Sequence, residues 1–176
     1  MVLPAVMPRA LFENRAPDSP LLDQMFSFAD KGGRNVVLAP EYTAFVAELY
    51  RRELARRLPK PVRLFYVARC YRYERPQAGR YREFTQVGLE LLGPDVDAGE
   101  VTGVLKRTLD DFGLDYRFVP SVKRGLTYYV EDGFEVEVDS LGAQKQVAGG
   151  GRYAEGVGFA IGLDRLILAL QRQKSA

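Results

Sequence analysis

Residues 62–93 constrain the fold more than any other stretch of this chain, because two strand-forming runs flank one arginine-rich turn. Residues 62–70 are apolar and rich in β-branched and aromatic side chains, which predicts a buried strand. Pro76 and Gly79 predict a turn, and residues 84–92 predict the returning strand. The stretch is therefore predicted to form a long antiparallel hairpin. Five arginines lie at or near its tip: Arg69, Arg72, Arg75, Arg80 and Arg82.

The polar side chains of this hairpin indicate a small-ligand site. Arg72 and Glu74 precede the turn, and Gln86 and Glu90 follow it. Because side chains two positions apart point to the same face of a strand, these four can converge on one ligand. Clustered arginines repel one another, and a polyanion such as a nucleotide triphosphate would relieve that repulsion through bidentate phosphate contacts. A hairpin with a solvated, charged tip is the alternative that composition alone leaves open.

The whole chain, residues 1–176, is predicted to be a single α+β domain with a mostly antiparallel sheet flanked by helices. Further strands are predicted at residues 2–6, 25–29, 35–39, 116–119, 122–139 and 156–161, and helices at 41–57, 97–112 and 163–173. Residues 7–23 contain three prolines and are predicted to be a loop with at most one helical turn. The glycine-rich residues 144–151 predict either a close approach of the backbone to a ligand or a flexible turn.

Composition excludes several kinds of site. The chain has no histidine and one cysteine, Cys70, which excludes a disulfide framework, a serine–histidine triad and the usual zinc ligands. No metal site is predicted from the side chains, and any catalysis would depend on positioning and electrostatics. The net charge of +2 does not by itself indicate a nucleic-acid partner. The absence of a long apolar run predicts no membrane partner, and the lone cysteine suits a cytoplasmic location.

The order of residues in the hairpin resembles a known family. Arg-Tyr-Glu-Arg-Pro-Gln at 72–77, Gly-Arg-Tyr-Arg at 79–82 and Phe-Thr-Gln at 84–86 resemble motif 2 of class II aminoacyl-tRNA synthetases, and most closely the histidyl-tRNA synthetase family. Three further segments resemble the two histidyl-specific motifs and motif 3: residues 123–129, 148–153 and 156–166. The resemblance covers most of the chain and implies a class II synthetase-like catalytic core.

The resemblance also implies a reaction, in which histidine and ATP give histidyl-adenylate and pyrophosphate, with Mg²⁺ sharing the phosphate charge. Arg72 and Arg124 would be catalytic, because they would neutralise the substrate carboxylate and the α-phosphate. The implied ATP-binding residues are Arg72, Glu74, Arg80, Arg82, Phe84 and Arg165. The implied histidine-binding residues are Glu41, Thr43, Gln86, Glu90, Arg124, Tyr128 and Tyr129.

Two of these glutamates receive specific expectations. Glu90 is expected to select histidine by accepting a hydrogen bond from the imidazole ring, as the resemblance implies. Glu41 would hold the amino group of the substrate. From the sequence alone, Glu41 is equally well explained as a carboxylate that favours the start of a helix.

The chain also departs from the family pattern. Thr85, Thr127 and Ala154 stand where histidine, aspartate and aspartate are usual. The resemblance includes neither the family's insertion domain nor its anticodon-binding domain, and the first motif is reduced to its strand. Weak tRNA binding and a weakened homodimer are therefore expected. The alternative is a non-catalytic paralogue, the regulatory subunit of ATP phosphoribosyltransferase in histidine biosynthesis, although the retained arginines favour the catalytic core.

Overall fold

The computed structural model describes residues 1–123, 128–131 and 133–175. Its strands are β1 (Val6–Pro8), β2 (Ser27–Ala29), β3 (Asn35–Leu38), β4 (Val62–Tyr71), β5 (Glu83–Leu92), β6 (Arg117–Val122), β7 (Gly133–Glu137), β8 (Gln146–Tyr153) and β9 (Gly156–Gly162). Its α-helices are α1 (Ala10–Arg15), α2 (Thr43–Leu49), α3 (Ala55–Arg57), α4 (Ala98–Asp111) and α5 (Leu163–Lys174). They are accompanied by the 3-10 helices Pro20–Gln24 and Asp139–Gln144 and by a π-helical segment, Tyr50–Leu54.

A six-stranded antiparallel sheet organises the molecule, in the order β4-β5-β9-β8-β7-β6. The predicted hairpin forms its first two strands, which pair from Val62↔Leu92 to Tyr71↔Glu83. β1, β3 and β2 form a separate three-stranded antiparallel sheet. The prediction of an α+β fold with mostly antiparallel strands is therefore confirmed.

Helices α4 and α5 cover one face of the six-stranded sheet. Val101, Leu105 and Leu109 recur at helical spacing along α4 and are completely buried. They share one hydrophobic core with Leu166 of α5 and with side chains of the central strands. None of the helices in the described part of the chain has the length and apolar composition needed to cross a lipid bilayer.

The opposite face carries an N-terminal layer made of the three-stranded sheet, α1 and α2. Leu91 and its neighbour Leu92 belong to two different cores, as alternation along β5 requires. The second core joins Met7 of β1, Val37 of β3 and Tyr66 of β4. A cleft lies between this layer and strands β5, β8 and β9.

The first strand lies further along the chain than the sequence predicts. It spans Val6–Pro8 rather than residues 2–6, because Met7 is the residue that pairs with Val37 and buries its side chain. Val2 is 99% exposed. The apolar run before the strand is therefore not what fixes its register.

The helical boundaries also differ from the prediction. Residues 7–23 are not mainly loop, since they contain α1 and the start of the 3-10 helix Pro20–Gln24. The helix predicted at 41–57 begins at Thr43 and changes to π-helical geometry at Tyr50–Leu54. In residues 7–23, tertiary packing of the N-terminal layer outweighs the tendency of the three prolines to interrupt helices.

The glycine-rich segment is a strand rather than a turn. β8 lies inside the sheet between β9 and β7. A Cβ atom at Gly150 would lie 2.1 Å from the carbonyl oxygen of Gly158, so the neighbouring strand leaves no room for a side chain. The sequence predicted a close approach of the backbone to a ligand, whereas at Gly150 the close approach is to the neighbouring strand. Gly149, next to it, lines the cleft.

Candidate active site

A cleft of about 310 Å³ brings most of the predicted site residues together. The predicted residues that line it are Glu41, Thr43, Arg72, Glu74, Phe84, Gln86, Tyr128, Tyr129 and Arg165. Arg80, Arg82 and Glu90 are not part of the lining, and Arg124 lies outside the described residues. Segments far apart in the sequence therefore surround one cavity.

Glu41 stands at one end of this cleft, where β3 gives way to α2. Its carboxylate accepts hydrogen bonds from the backbone amides of Thr43 at 2.7 Å and Ala44 at 3.1 Å. The Tyr128 hydroxyl donates to it at 3.3 Å. Burial raises the pKa of Glu41 above its ordinary value, and the two amides oppose that shift. Glu41 therefore starts a helix and also presents an acidic group to the cleft, so the two interpretations of this residue are compatible.

Glu90 lies close to the end of the cleft that holds Glu41, which we call the acidic end, and its side chain has no exposed surface. Its carboxylate accepts hydrogen bonds from the Thr43 hydroxyl at 2.8 Å and from the Tyr153 hydroxyl at 2.7 Å. A Cβ atom at Gly158 would lie 1.8 Å from this carboxylate, so the Glu90 side chain fits only because residue 158 has no side chain. Burial raises the pKa of Glu90 to about 7, although both hydroxyl donors lower it. Thr43, which lines the cleft, connects Glu90 to it.

Arg72 supplies positive charge to the cleft. Its Nε donates to the backbone oxygen of Pro40 at 2.9 Å, and its guanidinium lies 5.3 Å from the centre of the Phe84 ring. Within the described residues it forms no ion pair with a carboxylate. Its charge is therefore held in place by a carbonyl and an aromatic ring and remains available to an anion.

Arg165, near the start of α5, supplies the second cation. Its guanidinium donates to the backbone oxygens of Gly79 and of Gln146, the latter at 2.9 Å. Burial lowers the pKa of Arg165 from its ordinary value. The neighbouring Asp164 accepts a hydrogen bond from the Thr85 amide at 2.7 Å, which fixes the start of α5 against β5. Motif 3 and motif 2 are thus joined at this end of the cleft.

The other two arginines that were expected to bind ATP, Arg80 and Arg82, already contact other groups of the protein. Arg80 forms an ion pair with Glu74 at 2.7 Å and donates to Gln144 at 3.2 Å. Arg82 donates to the backbone oxygen of Glu74, and its guanidinium lies 4.5 Å from the centre of the Tyr73 ring. Neither side chain lines the cleft, although Glu74 does.

Gln86 and the tyrosines complete the wall. The side-chain oxygen of Gln86 accepts from the Cys70 thiol at 3.2 Å, and Cys70 is completely buried, as the sequence predicts. Tyr128 and Tyr129 lie with their ring centres 4.8 Å apart. Tyr129 also pairs with Tyr153 through a backbone bridge, which ties this wall to β8.

Sequence reasoning missed two residues at the acidic end. Tyr153 is the donor that reaches Glu90, and it belongs to the glycine-rich motif, so the motif itself was a signal. Arg15 stands behind the tyrosines, with its guanidinium carbon 5.1 Å from the Tyr128 ring centre and 5.7 Å from that of Tyr153. Nothing in the local sequence around Arg15 indicates this contact.

Comparison with known proteins adds the family. A family model described as histidyl-tRNA synthetase matches residues 6–115. A histidine–tRNA ligase of Methanosphaerula palustris is 31% identical to this chain, and the match covers 85% of this chain and 62% of the relative. The solved structure of apo S. aureus histidyl-tRNA synthetase has a TM-score of 0.79 at 25% identity, covering 99% of this chain and 60% of that one.

A second solved structure has an equally similar fold. The solved structure of an ATP phosphoribosyltransferase regulatory subunit/histidyl-tRNA synthetase from Bacillus halodurans has a TM-score of 0.80 at 18% identity, covering 97% of this chain and 73% of that one. That similarity concerns the fold alone. The chain spans about 60% of the length of the curated relatives that it matches.

Proposed function

The chain belongs to the histidyl-tRNA synthetase family and has its class II fold, and from this premise we propose that its cleft binds histidine and ATP and forms histidyl-adenylate. The observation that carries the proposal is the charge of the cleft. Glu41 supplies an acidic group, and Arg72 and Arg165 supply cations in the same cavity. An amino acid has an ammonium group and a carboxylate, and ATP is a polyanion. The cleft therefore offers an acidic group for the ammonium and cations for the carboxylate and the phosphates.

The acidic end is proposed to bind histidine. Glu41 and Thr43 would receive the ammonium group, together with Gln86. Tyr128 and Tyr129 would bound the imidazole ring. Glu90 would act as the selective group, and Thr43 is its connection to the cleft at 2.8 Å. An amino acid that lacks the imidazole would leave the ionised Glu90 with only its two hydroxyl donors, Thr43 and Tyr153, and would therefore be disfavoured.

The basic end is proposed to bind ATP and to stabilise the reacting groups. An oxygen of the histidine carboxylate would attack the α-phosphorus, forming a new P–O bond while the bond to pyrophosphate breaks. Arg72 would neutralise the charge that both groups bring. Because Pro40 and Phe84 already fix Arg72, it would need little reorganisation at the moment of reaction. Arg124 is proposed to share this task.

The remaining roles follow from position. Phe84 and Arg165 would hold the adenine ring between them. Arg80 and Arg82 would bind the departing phosphates, for which Arg80 would exchange its partner Glu74 for a phosphate oxygen. Because the relatives are histidine–tRNA ligases, tRNA is the proposed acceptor of the activated histidine.

Magnesium fits this end only together with the nucleotide. Within the described residues, no three His, Cys, Asp or Glu side chains converge on a metal position. Mg²⁺ is commonly held by one or two carboxylates plus substrate phosphates, and Glu74, which lines the cleft, would contribute one. When bound, the ion would neutralise part of the triphosphate charge.

A second candidate function is that of a histidine-binding regulatory subunit without turnover. Its specific support is that Arg80 is paired with Glu74 and that Arg165 is bonded to two backbone oxygens. Part of the basic charge is therefore satisfied within the protein. A regulator of this kind would bind histidine and would not need ATP.

Histidine-dependent exchange of labelled pyrophosphate into ATP tests the proposal. Arg72→Met should lower the exchange rate by about a hundredfold to a thousandfold, because it removes a fixed charge from the reacting groups. Arg69→Met is the matched control, since Arg69 lies on the same hairpin, is 63% exposed and pairs with Glu83. Its exchange rate should be unchanged.

Two results would contradict the proposal. The first is wild-type exchange that stays at background when histidine is added. The second is equal exchange by the Arg72→Met and Arg69→Met variants.

A further inference from the structure

A buried ion pair joins two distant parts of the chain behind the acidic end of the cleft. Arg15 ends α1, and Glu155 lies in the turn between β8 and β9, 140 residues later. The Nη1 and Nη2 groups of Arg15 donate to Oε1 and Oε2 of Glu155 at 3.1 and 2.6 Å, which makes a bidentate pair. The two side chains are only 13% and 12% exposed. This geometry fixes the plane of the Arg15 guanidinium.

The fixed guanidinium lies over two tyrosine rings. Its carbon is 5.1 Å from the ring centre of Tyr128 and 5.7 Å from that of Tyr153. The two rings stand perpendicular to each other, with centres 6.3 Å apart. One cation therefore contacts both rings at once and restricts their mutual arrangement.

The hydroxyls of these tyrosines reach the two buried carboxylates of the site. Tyr128 donates to Glu41 at 3.3 Å, and Tyr153 donates to Glu90 at 2.7 Å. The positive charge of Arg15 also acts on both carboxylates. Arg15 thus influences the ammonium-binding and imidazole-binding groups without lining the cleft.

We propose that Arg15 is a positioning residue for amino-acid binding, which holds Tyr128 and Tyr153 so that their hydroxyls meet Glu41 and Glu90. The proposal rests on the proposed function only for the identity of the amino acid, histidine. Glu155 serves as the clamp that sets the orientation of Arg15. The Nε of Arg15 is buried and has no acceptor among the described residues, so the guanidinium is kept there in spite of an unsatisfied donor.

A lysine cannot replace this arginine. It keeps the positive charge but has neither the planar face that stacks on rings nor the fork that grips a carboxylate. Arg15→Lys is therefore the informative variant, and Glu155→Gln is the second, because it loosens the clamp and leaves Arg15 in place. Arg9→Lys is the matched control, since Arg9, the residue before α1, forms an ion pair with Glu13 of α1 at 2.6 Å and its side chain is 28% exposed.

The test combines kinetics with a spectroscopic readout. Pyrophosphate exchange is measured over a range of histidine and of ATP concentrations. Arg15→Lys should raise the KM for histidine by about tenfold to a hundredfold, as expected when binding groups move by about 1 Å, and should leave the KM for ATP within about twofold. In protein labelled with ¹³C at the tyrosine ζ carbon, the resonances of Tyr128 and Tyr153 should shift. Glu155→Gln should give smaller changes in the same direction, and Arg9→Lys should give none.

The outcomes separate the two proposals. If wild-type protein supports exchange and Arg15→Lys lowers the melting temperature without moving the KM for histidine relative to that for ATP, the role of Arg15 is merely structural and the inference is wrong. If wild-type protein shows no histidine-dependent exchange, the proposed function fails, and the tyrosine resonances still test Arg15. Unshifted tyrosine resonances in Arg15→Lys and Glu155→Gln would overturn the positioning role. Shifts in these two variants, with none in Arg9→Lys, would support it.

Discussion

Replacing Glu90 by glutamine should remove much of the pH dependence of this protein's stability between about pH 4.5 and 7. In the folded protein, burial raises the pKa of Glu90 from 4.5 to about 7. Between these values the folded state retains a proton that the unfolded state has released. The free energy of unfolding of the wild type should therefore fall as the pH rises through this range and level off above about pH 7.

The size of the effect follows from the shift. One pKa unit corresponds to about 1.4 kcal/mol, so the rise from 4.5 to about 7 corresponds to about 3 kcal/mol. The glutamine does not titrate, and its side-chain oxygen can still accept from Thr43. Its amide group can donate to the Tyr153 hydroxyl, which can reverse its role and accept. The difference in unfolding free energy, Glu90→Gln minus wild type, should therefore increase by about 3 kcal/mol between pH 4.5 and pH 8.

Urea unfolding followed by tyrosine fluorescence and circular dichroism measures this difference, since the chain has ten tyrosines and no tryptophan. Glu100→Gln is the control, because Glu100 is exposed and its pKa is lowered, mainly by its hydrogen bond from Arg63. Its effect on the pH dependence should have the opposite sign and should lie mainly below about pH 4.5, because its pKa in the folded protein is lowered from 4.5. Parallel stability curves for Glu90→Gln and wild type across this range would refute the assignment of a raised pKa to Glu90.

Three further predictions concern packing and binding. Gly158→Ala should destabilise the fold by about 3 kcal/mol, because its Cβ would lie 1.8 Å from the Glu90 carboxylate. The control Gly103→Ala in α4, whose Cβ would lie 3.6 Å from its nearest neighbouring atom, should stabilise the fold by about 0.5–1 kcal/mol. Equal melting temperatures for the two variants would contradict this prediction. Phe84→Leu should raise the Kd for ATP by about fivefold to a hundredfold, and the exposed Phe65→Leu should not change it in equilibrium dialysis. Histidine binding at pH 7 should release a proton from Glu90, whose pKa is about 7, because hydrogen-bond donors of the ligand favour the ionised carboxylate. The binding heat measured by calorimetry should therefore depend on the ionisation enthalpy of the buffer. A binding heat that is the same in all buffers would argue against this release.

The fold was predictable where local pattern and tertiary packing agree. The hairpin of β4 and β5 carries alternation and turn residues in one continuous stretch, and α4 carries its apolar positions at helical spacing. The strand β1 was not located correctly, because its register depends on Met7 meeting Val37 and not on local hydrophobicity. The strand β8 reads locally as a turn, since its glycines are required by a strand that pairs with it later in the chain.

The lining of the cleft was predictable in part. Arg72, Glu74 and Gln86 share the cleft as the hairpin pattern indicates, whereas Glu90 does not line it. The burial of Glu90 depends on the missing side chain of Gly158, 68 residues later, which alternation along β5 cannot reveal. Arg15 was not recognised, because its partner Glu155 is 140 residues away and no spacing rule connects them.

The central claim is that one cleft holds histidine at Glu41 and the nucleotide at Arg72. Calorimetry with histidine and with an ATP analogue that has a methylene bridge between the α- and β-phosphorus, separately and together, tests it without turnover. We predict that both ligands bind and that each increases the affinity of the protein for the other. Arg72→Met should lower the affinity for the analogue and reduce the coupling between the two binding events. Histidine binding with no detectable binding of the analogue, in the presence of Mg²⁺, would contradict the account and would favour a regulatory subunit.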